Sequence, residues 1–165
     1  MNFKKYSYRF AEQVLNSNLT IKNEVEELIH LLNPKGDALS RPNLNKLFKE
    51  KLVDLGWQDQ PSVFEDTKDP SAKLDFLKNR TGIEIQFGHS SFIGIDLLKF
   101  QVCSYSALDS IDIGIYIVTT KEFQKRAKEE HKQNWEGSLQ FEKVIKYLPY
   151  FKSAIQVPIY VIGLL

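Results

Sequence analysis

The sequence predicts an α/β protein with a mixed central β-sheet flanked by helices. Apolar residues recur every three to four positions in residues 20–32 and 42–55, as they do in amphipathic helices. They alternate with polar residues in 83–87, as in a half-buried strand. Two runs rich in β-branched residues, 111–119 and 157–165, suit central strands. This order predicts a hairpin followed by strands that are joined through helical crossovers.

Length and composition indicate one globular domain over residues 1–165, with N-terminal helices in 1–56 and an α/β core in 72–165. The formal net charge is +1, so any basic surface for nucleic acid must be local. The single cysteine, Cys103, excludes an internal disulfide and favours a reducing compartment, so we expect a cytoplasmic protein. No apolar run reaches the ~20 residues of a membrane span, and the N-terminal residues lack the apolar stretch of a secretion signal.

The N-terminal part is predicted to contain two helices followed by a polar loop. In the first helix, over residues 20–32, one face carries Ile21, Val25, Leu28, Ile29 and Leu32. The second helix covers residues 41–55 and ends before Gly56. Residues 57–72 are polar and contain two prolines, so we expect a loop that leads to the first strand of the core.

The stretch KLDFLKNRTGIEIQF contains Asp75, followed by Glu84 and Gln86. Two predicted strands, 74–77 and 83–87, carry these residues, and the short polar segment between them suits a hairpin turn. Side chains alternate across a strand, so Glu84 and Gln86 share one face. If the two strands pair, Asp75 lies beside Glu84. Two carboxylates that face one point repel each other unless a positive charge lies between them, and a divalent metal is the natural occupant.

The second half of the chain is predicted to alternate helices with the two central strands. Residues 92–108 form a helix in which one face carries Ile95, Leu98, Val102 and Tyr105. Cys103, within that helix, is expected to be a small buried hydrophobic side chain rather than a reactive thiol. Residues 121–137 are predicted to form a long polar loop, and the alternative is an amphipathic helix with a solvated face. A last helix is predicted over 138–148.

The pattern of Asp75, Glu84 and Gln86 resembles the PD-(D/E)XK nucleases, in which a lysine usually takes the place of Gln86. With glutamine there, the sequence is similar to the BglII and BstYI group of type II restriction endonucleases. The resemblance extends to IEIQFGHSSFIGIDLLKF, IDIGIYIVTTKEF, GSLQFEKVIKYL and QVPIYVIGLL, and it covers residues 40–165. It implies a restriction-endonuclease-like core with a mixed sheet, preceded by N-terminal helices.

The resemblance also implies roles for the residues of the motif. Asp75 and Glu84 would bind Mg²⁺, together with the main-chain carbonyl of Ile85. Gln86 cannot act as a base, but it can orient the attacking water. Gln60 would support the metal ligands from behind, and the alternative for this residue is a solvated loop amide. The expected products carry 5′-phosphate and 3′-hydroxyl ends.

Two segments are expected to contact DNA. In the turn after the motif strand, His89 and Ser90 would reach the DNA, and the alternative for His89 is a turn residue that bonds only to the backbone. The polar segment 121–137 offers cations for phosphates and amides for base edges, and the residues concerned are Lys125, Arg126, Lys128, Lys132, Gln133, Asn134 and Trp135. Lys99 is interpreted as a surface lysine, with a phosphate contact as the alternative.

The resemblance implies a type II restriction endonuclease that hydrolyses double-stranded DNA with Mg²⁺ at a short palindrome, by family habit centred on GATC. A palindrome implies a homodimer, with the N-terminal helices or the 92–108 helix as dimer surfaces. A cognate DNA methyltransferase is expected as a partner in the same system, and no membrane. Two alternatives stay open: a nuclease of the same fold for repair or for modified DNA, and an inactive DNA-binding module, which the missing lysine suggests.

Overall fold

One mixed β-sheet of six strands forms the centre of the protein. The structure is a computed structural model and describes residues 1–63, 73–106 and 109–165. The strand order is β1-β6-β5-β4-β3-β2, in which β4, β5 and β6 run parallel and the other neighbours pair antiparallel. The strands are β1 (Phe3–Tyr8), β2 (Gln58–Asp59), β3 (Phe76–Lys78), β4 (Thr81–Ile85), β5 (Ile113–Thr119) and β6 (Ile159–Leu164). The predicted α/β class with a mixed sheet is confirmed.

Helices cover both faces of this sheet. They are α1 (Ala11–Asn16), α2 (Leu19–Leu31), α3 (Arg41–Asp54), α4 (Ile93–Tyr105), α5 (Lys121–His131) and α6 (Phe141–Tyr147), with short 3₁₀ turns at Gly36–Leu39, Ser90–Phe92 and Leu148–Phe151. Most of the predicted loop 57–72 and the end of the predicted helix 92–108 lie outside the described residues. Within the described ranges, no helix has the length and apolar character that crossing a membrane requires.

The two faces of the sheet belong to two separate hydrophobic clusters. Along β6, Tyr160 and Ile162 pack in the cluster that contains buried residues of α2, α3 and α5. Ile159 and Val161 alternate with them and pack in the cluster that contains buried residues of α4 and α6. This alternation follows from the period of two along a strand, and it produces three layers, helix on sheet on helix.

The hairpin of β3 and β4 is tighter than predicted. Phe76 pairs with Ile83 and Lys78 with Thr81, so only Asn79 and Arg80 form the turn. Both have positive φ, 45° and 58°, as the central residues of a type I′ turn require. The Arg80 guanidinium holds this geometry in place, since it bonds to both carboxylate oxygens of Asp112 at 2.8–2.9 Å. The predicted pairing of these strands is therefore present, with a two-residue turn.

Helix α4 approaches the sheet closely at Gly114 of β5. A Cβ atom at this position would lie 2.6 Å from Cδ1 of Phe100, which is closer than real Cβ contacts. Glycine therefore lets the Phe100 ring sit directly on the strand, and this contact fixes the height of α4 over β4 and β5. Cys103 is a buried free thiol on the same face of α4, as predicted, and burial raises its pKa.

Four elements differ from the main prediction, and one of them is the short strand β2, which lies in the predicted loop 57–72. Residues 1–56 were expected to be helical, but Phe3–Tyr8 forms an edge strand that pairs with β6 over its whole length. Helix α1 follows it. The segment predicted as a long polar loop contains the regular helix α5, so the alternative of an amphipathic helix is correct there. β1 and α5 consist mostly of polar residues, and each buries only a narrow face. Their few apolar residues therefore show no clear period in the sequence.

Candidate active site

A cleft of about 520 Å³ opens between the end of the β3–β4 hairpin and helix α4. Its lining combines acidic, amide and apolar side chains with one ammonium group. The residues are Asp75, Glu84, Ile85, Gln86, Phe92, Ile95, Asp96 and Lys99. The structure therefore brings together the three motif residues that the sequence singled out, and it adds two charged residues of α4.

Asp75 and Glu84 lie opposite each other across the hairpin. Phe76 pairs with Ile83, so the same antiparallel register places Asp75 beside Glu84. The Asp75 carboxylate accepts a hydrogen bond from the Ile85 N–H at 2.7 Å, and its main-chain carbonyl accepts one from the Gln60 N–H at 2.9 Å. These two bonds fix Asp75 from both sides. Gln60, predicted to lie behind the ligands, reaches Asp75 through its backbone, and its side chain is exposed.

Both carboxyl groups are held where their charge is costly. Glu84 is only 3% exposed, and burial raises its pKa well above the ordinary value, with the nearby Asp75 charge as the next cause. Burial also raises the pKa of Asp75, against the hydrogen bond from Ile85, which lowers it. Such a pair is destabilising by itself, and it gains most from a bound cation.

This cost predicts a pH effect on the metal-free protein. A carboxyl group whose pKa is higher in the folded than in the unfolded protein stabilises the fold at pH values below its unfolded-state pKa. That contribution is lost as the pH rises through the folded-state pKa. The loss of stability therefore begins as the pH rises above the ordinary pKa values, which are 3.8 for Asp75 and 4.5 for Glu84. We expect the stability of the variant Glu84→Gln relative to the parent to increase as the pH rises above 4.5. Urea unfolding of both proteins in EDTA measures this, and a difference that stays constant with pH would contradict it.

Gln86 is held by two hydrogen bonds of its side-chain amide. Its Oε1 accepts from the Gly88 N–H at 2.7 Å, and its Nε2 donates to Oδ2 of Asp96 at 2.8 Å. The Tyr116 hydroxyl of β5 donates to the same Asp96 oxygen at 2.7 Å. Asp96 is 2% exposed, so this is a buried network that sets the orientation of the Gln86 amide.

Lys99 is not the surface lysine that was predicted. Its Nζ lies 3.3 Å and 3.2 Å from the two carboxylate oxygens of Glu84, and 3.7 Å from Oδ1 of Asp96. The side chain is 12% exposed. The prediction is wrong because α4 packs with this side over the motif strand, and the ammonium group then enters the cleft among the carboxylates.

Sequence reasoning missed Asp96 and Tyr116 as members of the site. The spacing of residues along α4 could have indicated Asp96. Asp96 shares the buried face with Phe100 and Cys103, which follow it by four and seven residues. A charged residue at such a position needs a buried partner, and this requirement could have marked it. Tyr116 lies in a strand that is buried throughout, where its hydroxyl also needs a partner.

The donor set suits a hard divalent cation with few protein ligands. Over the described ranges, no group of three or more His, Cys, Asp or Glu side chains has the arrangement of a metal site. A metal there would depend on two carboxylates, water and a main-chain carbonyl. The N–H and C=O of one strand residue point to the same side, so the Ile85 carbonyl points toward β3, as its N–H does toward Asp75. Such a set fits Mg²⁺, which keeps several waters.

The turn after β4 places His89 and Ser90 next to the cleft. The exposed ring of His89 accepts a hydrogen bond from the Ser91 N–H at its Nδ1, at 3.2 Å, and the Nε2 edge of the ring lies beside Gly137. Ser90 Oγ accepts from Lys143 Nζ at 3.0 Å. The alternative for His89, a bond to the backbone, is therefore present.

Helix α5 presents a solvated face that carries both basic and acidic side chains. Phe123 and Ala127 form its buried stripe, and both are at most 2% exposed. The predicted DNA contacts of this helix and its C-cap are all exposed, namely Lys125, Arg126, Lys128 and Lys132. Three of these cations lie on α5, and Lys132 is its C-cap residue.

The last three residues of the predicted contact segment are fixed by the protein itself. Trp135 is 2% exposed, and its indole N–H donates to the Leu39 carbonyl at 3.1 Å, so its ring belongs to the core and not to a DNA surface. The Gln133 amide donates to Asp37 at 3.2 Å, and the Asn134 side chain accepts from the Glu136 N–H at 2.9 Å.

The fold and the cleft define a known class of protein. Seven chains of solved structures match this chain. One of them is the crystal structure of restriction endonuclease BglII complexed with a DNA 16-mer, which is 21% identical, with a TM-score of 0.81. The match covers 100% of this chain and 78% of that one. The protein therefore has the restriction-endonuclease fold.

The family follows from the sequence comparison. The family model described as "Restriction endonuclease BglII/BglIII" matches residues 3–164, which is nearly the whole chain. The chain belongs to this family of type II site-specific endonucleases. No curated protein sequence matches it.

Proposed function

We propose that the protein hydrolyses phosphodiester bonds of double-stranded DNA with Mg²⁺ as cofactor. The observation that carries this proposal is the pair of Asp75 and Glu84, fixed side by side at the mouth of a cleft and in need of a cation. Membership of a restriction endonuclease family supports the reaction class. The DNA in the related BglII structure supports the class of substrate.

The residues of the cleft then have separate tasks. Asp75, Glu84 and the Ile85 carbonyl would hold the metal, and Mg²⁺ there supplies Lewis-acid chemistry for in-line attack by water on phosphorus. Gln86 stays neutral, and its amide, held by Asp96 and Gly88, presents a fixed dipole to the attacking water. Gln60 steadies Asp75 from behind. The products are 5′-phosphate and 3′-hydroxyl ends.

The DNA would lie across the cleft and meet two further surfaces. His89 and Ser90 stand directly after the motif strand, so they are the residues nearest to the groove edges. Lys125, Arg126 and Lys128 on α5 provide solvated cations for phosphates. Lys132, Gln133 and Asn134 follow at the end of the helix, and they supply the donors and acceptors for base edges.

A homodimer is part of the proposal, since a palindromic site requires two equivalent active sites. The observation that supports it is the outer face of α4, the helix that was expected as one of the dimer surfaces. The apolar face that spacing predicted for this helix is the exposed one, whereas Leu97, Phe100 and Cys103 are buried. Ile95, Leu98 and Tyr105 are 45–61% exposed there, so this stripe is apolar and open. Exposed apolar stripes of this kind mark interaction surfaces, and a second copy of the chain is the partner that we propose.

A charge in this stripe tests the dimer. We expect Leu98→Glu to turn the protein into a monomer and to abolish double-strand cleavage, because the carboxylate would be desolvated in the interface. Val53→Glu is the comparison, since Val53 is 45% exposed on α3 and Leu98 is 48% exposed on α4. Sedimentation equilibrium measures the outcome. Dissociation by Val53→Glu alone would place the dimer on the N-terminal helices instead.

The site-specific reading is tested by digestion of phage and plasmid DNA with the purified protein, with and without Mg²⁺, followed by sequencing of the fragment ends. We expect discrete Mg²⁺-dependent fragments that share one short palindrome, and a GATC centre by analogy with the family. Such a site also implies a cognate DNA methyltransferase that protects the host's own DNA in the cytoplasm. A smear would favour a nuclease for repair, and cleavage of modified DNA alone would favour modification-dependent restriction.

A further inference from the structure

Lys99 is the one cationic side chain that lines the cleft, as far as the described residues go. Its ammonium group contacts both oxygens of Glu84, at 3.3 Å and 3.2 Å, and lies 3.7 Å from Asp96. The Lys99 side chain is only 12% exposed. Lysine side chains are seldom buried to this extent. The group is therefore held in place by the carboxylates of the cleft.

The charges of the cleft do not balance without a further cation. Asp75, Glu84 and Asp96 carry three negative charges when ionised, and Lys99 supplies one positive charge. Both oxygens of Glu84 already face the ammonium group, so a metal that binds Glu84 must take at least one of them. Two cations within contact distance of one carboxylate repel each other, and this repulsion is stronger at a protein surface than in bulk water.

We propose that Lys99 is the counter-ion of Glu84 in the metal-free protein, that a divalent metal displaces it from Glu84, and that its ammonium group then contacts the DNA phosphate in the cleft. This inference rests on the proposed function of the same cleft. The side chain has the means for such a move, because a flexible four-carbon stem carries its charge. It also stays near the site after displacement, since Asp96 lies one helical turn away on the same helix.

The first test is the binding of Ca²⁺ to the DNA-free protein by calorimetry, at about pH 8.5, where protons compete least for Glu84. We expect Lys99→Met to bind Ca²⁺ about tenfold more tightly than the parent, since the displaced charge is gone. Lys22→Met is the matched control: Lys22 is also 12% exposed and paired with a glutamate, Glu12, but it lies outside the cleft. It should leave the affinity unchanged.

The second readout is single-turnover DNA cleavage in Mg²⁺. Lys99→Met should cleave about 10²-fold more slowly at saturating metal despite its tighter metal binding, since a charge contact to the phosphate is lost. Lys99→Arg, which keeps the charge, should recover most of the rate. Unchanged Ca²⁺ affinity in Lys99→Met would refute the displacement, and an unchanged cleavage rate would refute the phosphate contact.

A measurement on the parent sequence covers the case in which Lys99→Met fails to fold. With ¹³C-dimethylated lysines, the Lys99 methyl resonance should shift on addition of Ca²⁺, whereas that of Lys22 should not. A Lys99 resonance that stays fixed while calorimetry shows Ca²⁺ binding overturns the inference and leaves the proposed function intact. If the parent binds no Ca²⁺ and cuts no DNA in Mg²⁺, the proposed function itself is wrong, and the inference falls with it.

Discussion

Substitution of Glu84 by Gln is expected to reduce DNA cleavage by about 10³-fold while the protein stays folded and binds DNA. A metal ion stabilises the charge of the transition state by several kcal/mol, and each 1.36 kcal/mol is a factor of ten in rate. Glutamine keeps the size of the side chain but removes the charge that would bind the cation. The buried glutamate costs stability in the metal-free state, so its loss should not unfold the protein.

The matched control is Glu24→Gln. Glu24 is a half-buried glutamate that, like Glu84, is paired with a lysine: it bonds to Lys78 Nζ at 2.8 Å and to the Trp57 indole N–H at 2.7 Å. It lies away from the cleft, so this variant should lose stability and keep its cleavage rate. Single-turnover cleavage in Mg²⁺ and DNA binding in Ca²⁺ are the two measurements. Loss of folding in Glu84→Gln, or a parental cleavage rate, would remove Glu84 from the active site.

The second large effect concerns stability. Trp135→Ala should lower the free energy of unfolding by about 3–5 kcal/mol, the usual cost of deleting a large buried aromatic side chain. The ring packs edge-on against Phe87 at 5.5 Å and against Phe123 at 5.1 Å, measured between ring centroids. It thereby joins the end of the motif strand to α5. Typical domains are stable by roughly 5–15 kcal/mol, so the loss is a large share of the total.

Urea unfolding measures this loss, and two variants define its origin. Trp135→Phe keeps an aromatic ring but loses the bond to the Leu39 carbonyl, so it should cost less than Trp135→Ala. Lys128→Ala, on the exposed face of α5, should leave the stability within ~0.5 kcal/mol of the parent. A stable Trp135→Ala protein with weakened DNA binding would restore the original prediction of a DNA contact.

Local patterns were enough to predict the hairpin and the pairing of Asp75 with Glu84. Alternation assigns each side chain to a face, and a short turn restricts the register, so two acidic residues nine positions apart were placed side by side. The face of α2 was predicted for the same reason, since a 3.6-residue period is visible without knowledge of the partner. Such features depend on neighbours in sequence.

The features that were missed depend on neighbours in space. Whether Lys99 is solvated or buried is decided by the direction in which α4 packs, and Ile95 and Leu98 offered an equally apolar face for the core. The choice is settled by Gly114, which admits Phe100 at close range. Strand β1 is an edge strand with few buried residues, so it carries little hydrophobic signal of its own and gains its structure from β6.

Helix α4 serves two neighbouring surfaces at once: Asp96 and Lys99 reach into the cleft, Leu98 and Tyr105 belong to the open apolar stripe, and Ile95 borders both. Consecutive helical residues are separated by a rotation of about 100°. An insertion or deletion of one residue between Phe92 and Lys99 would therefore turn the cleft charges away and bring apolar side chains into their place. Substitutions within this helix can be tolerated, whereas insertions and deletions between Phe92 and Lys99 are expected to disrupt the site. Relatives that cut DNA should keep the spacing from Asp96 to Lys99 constant, even where the exposed residues of the helix differ.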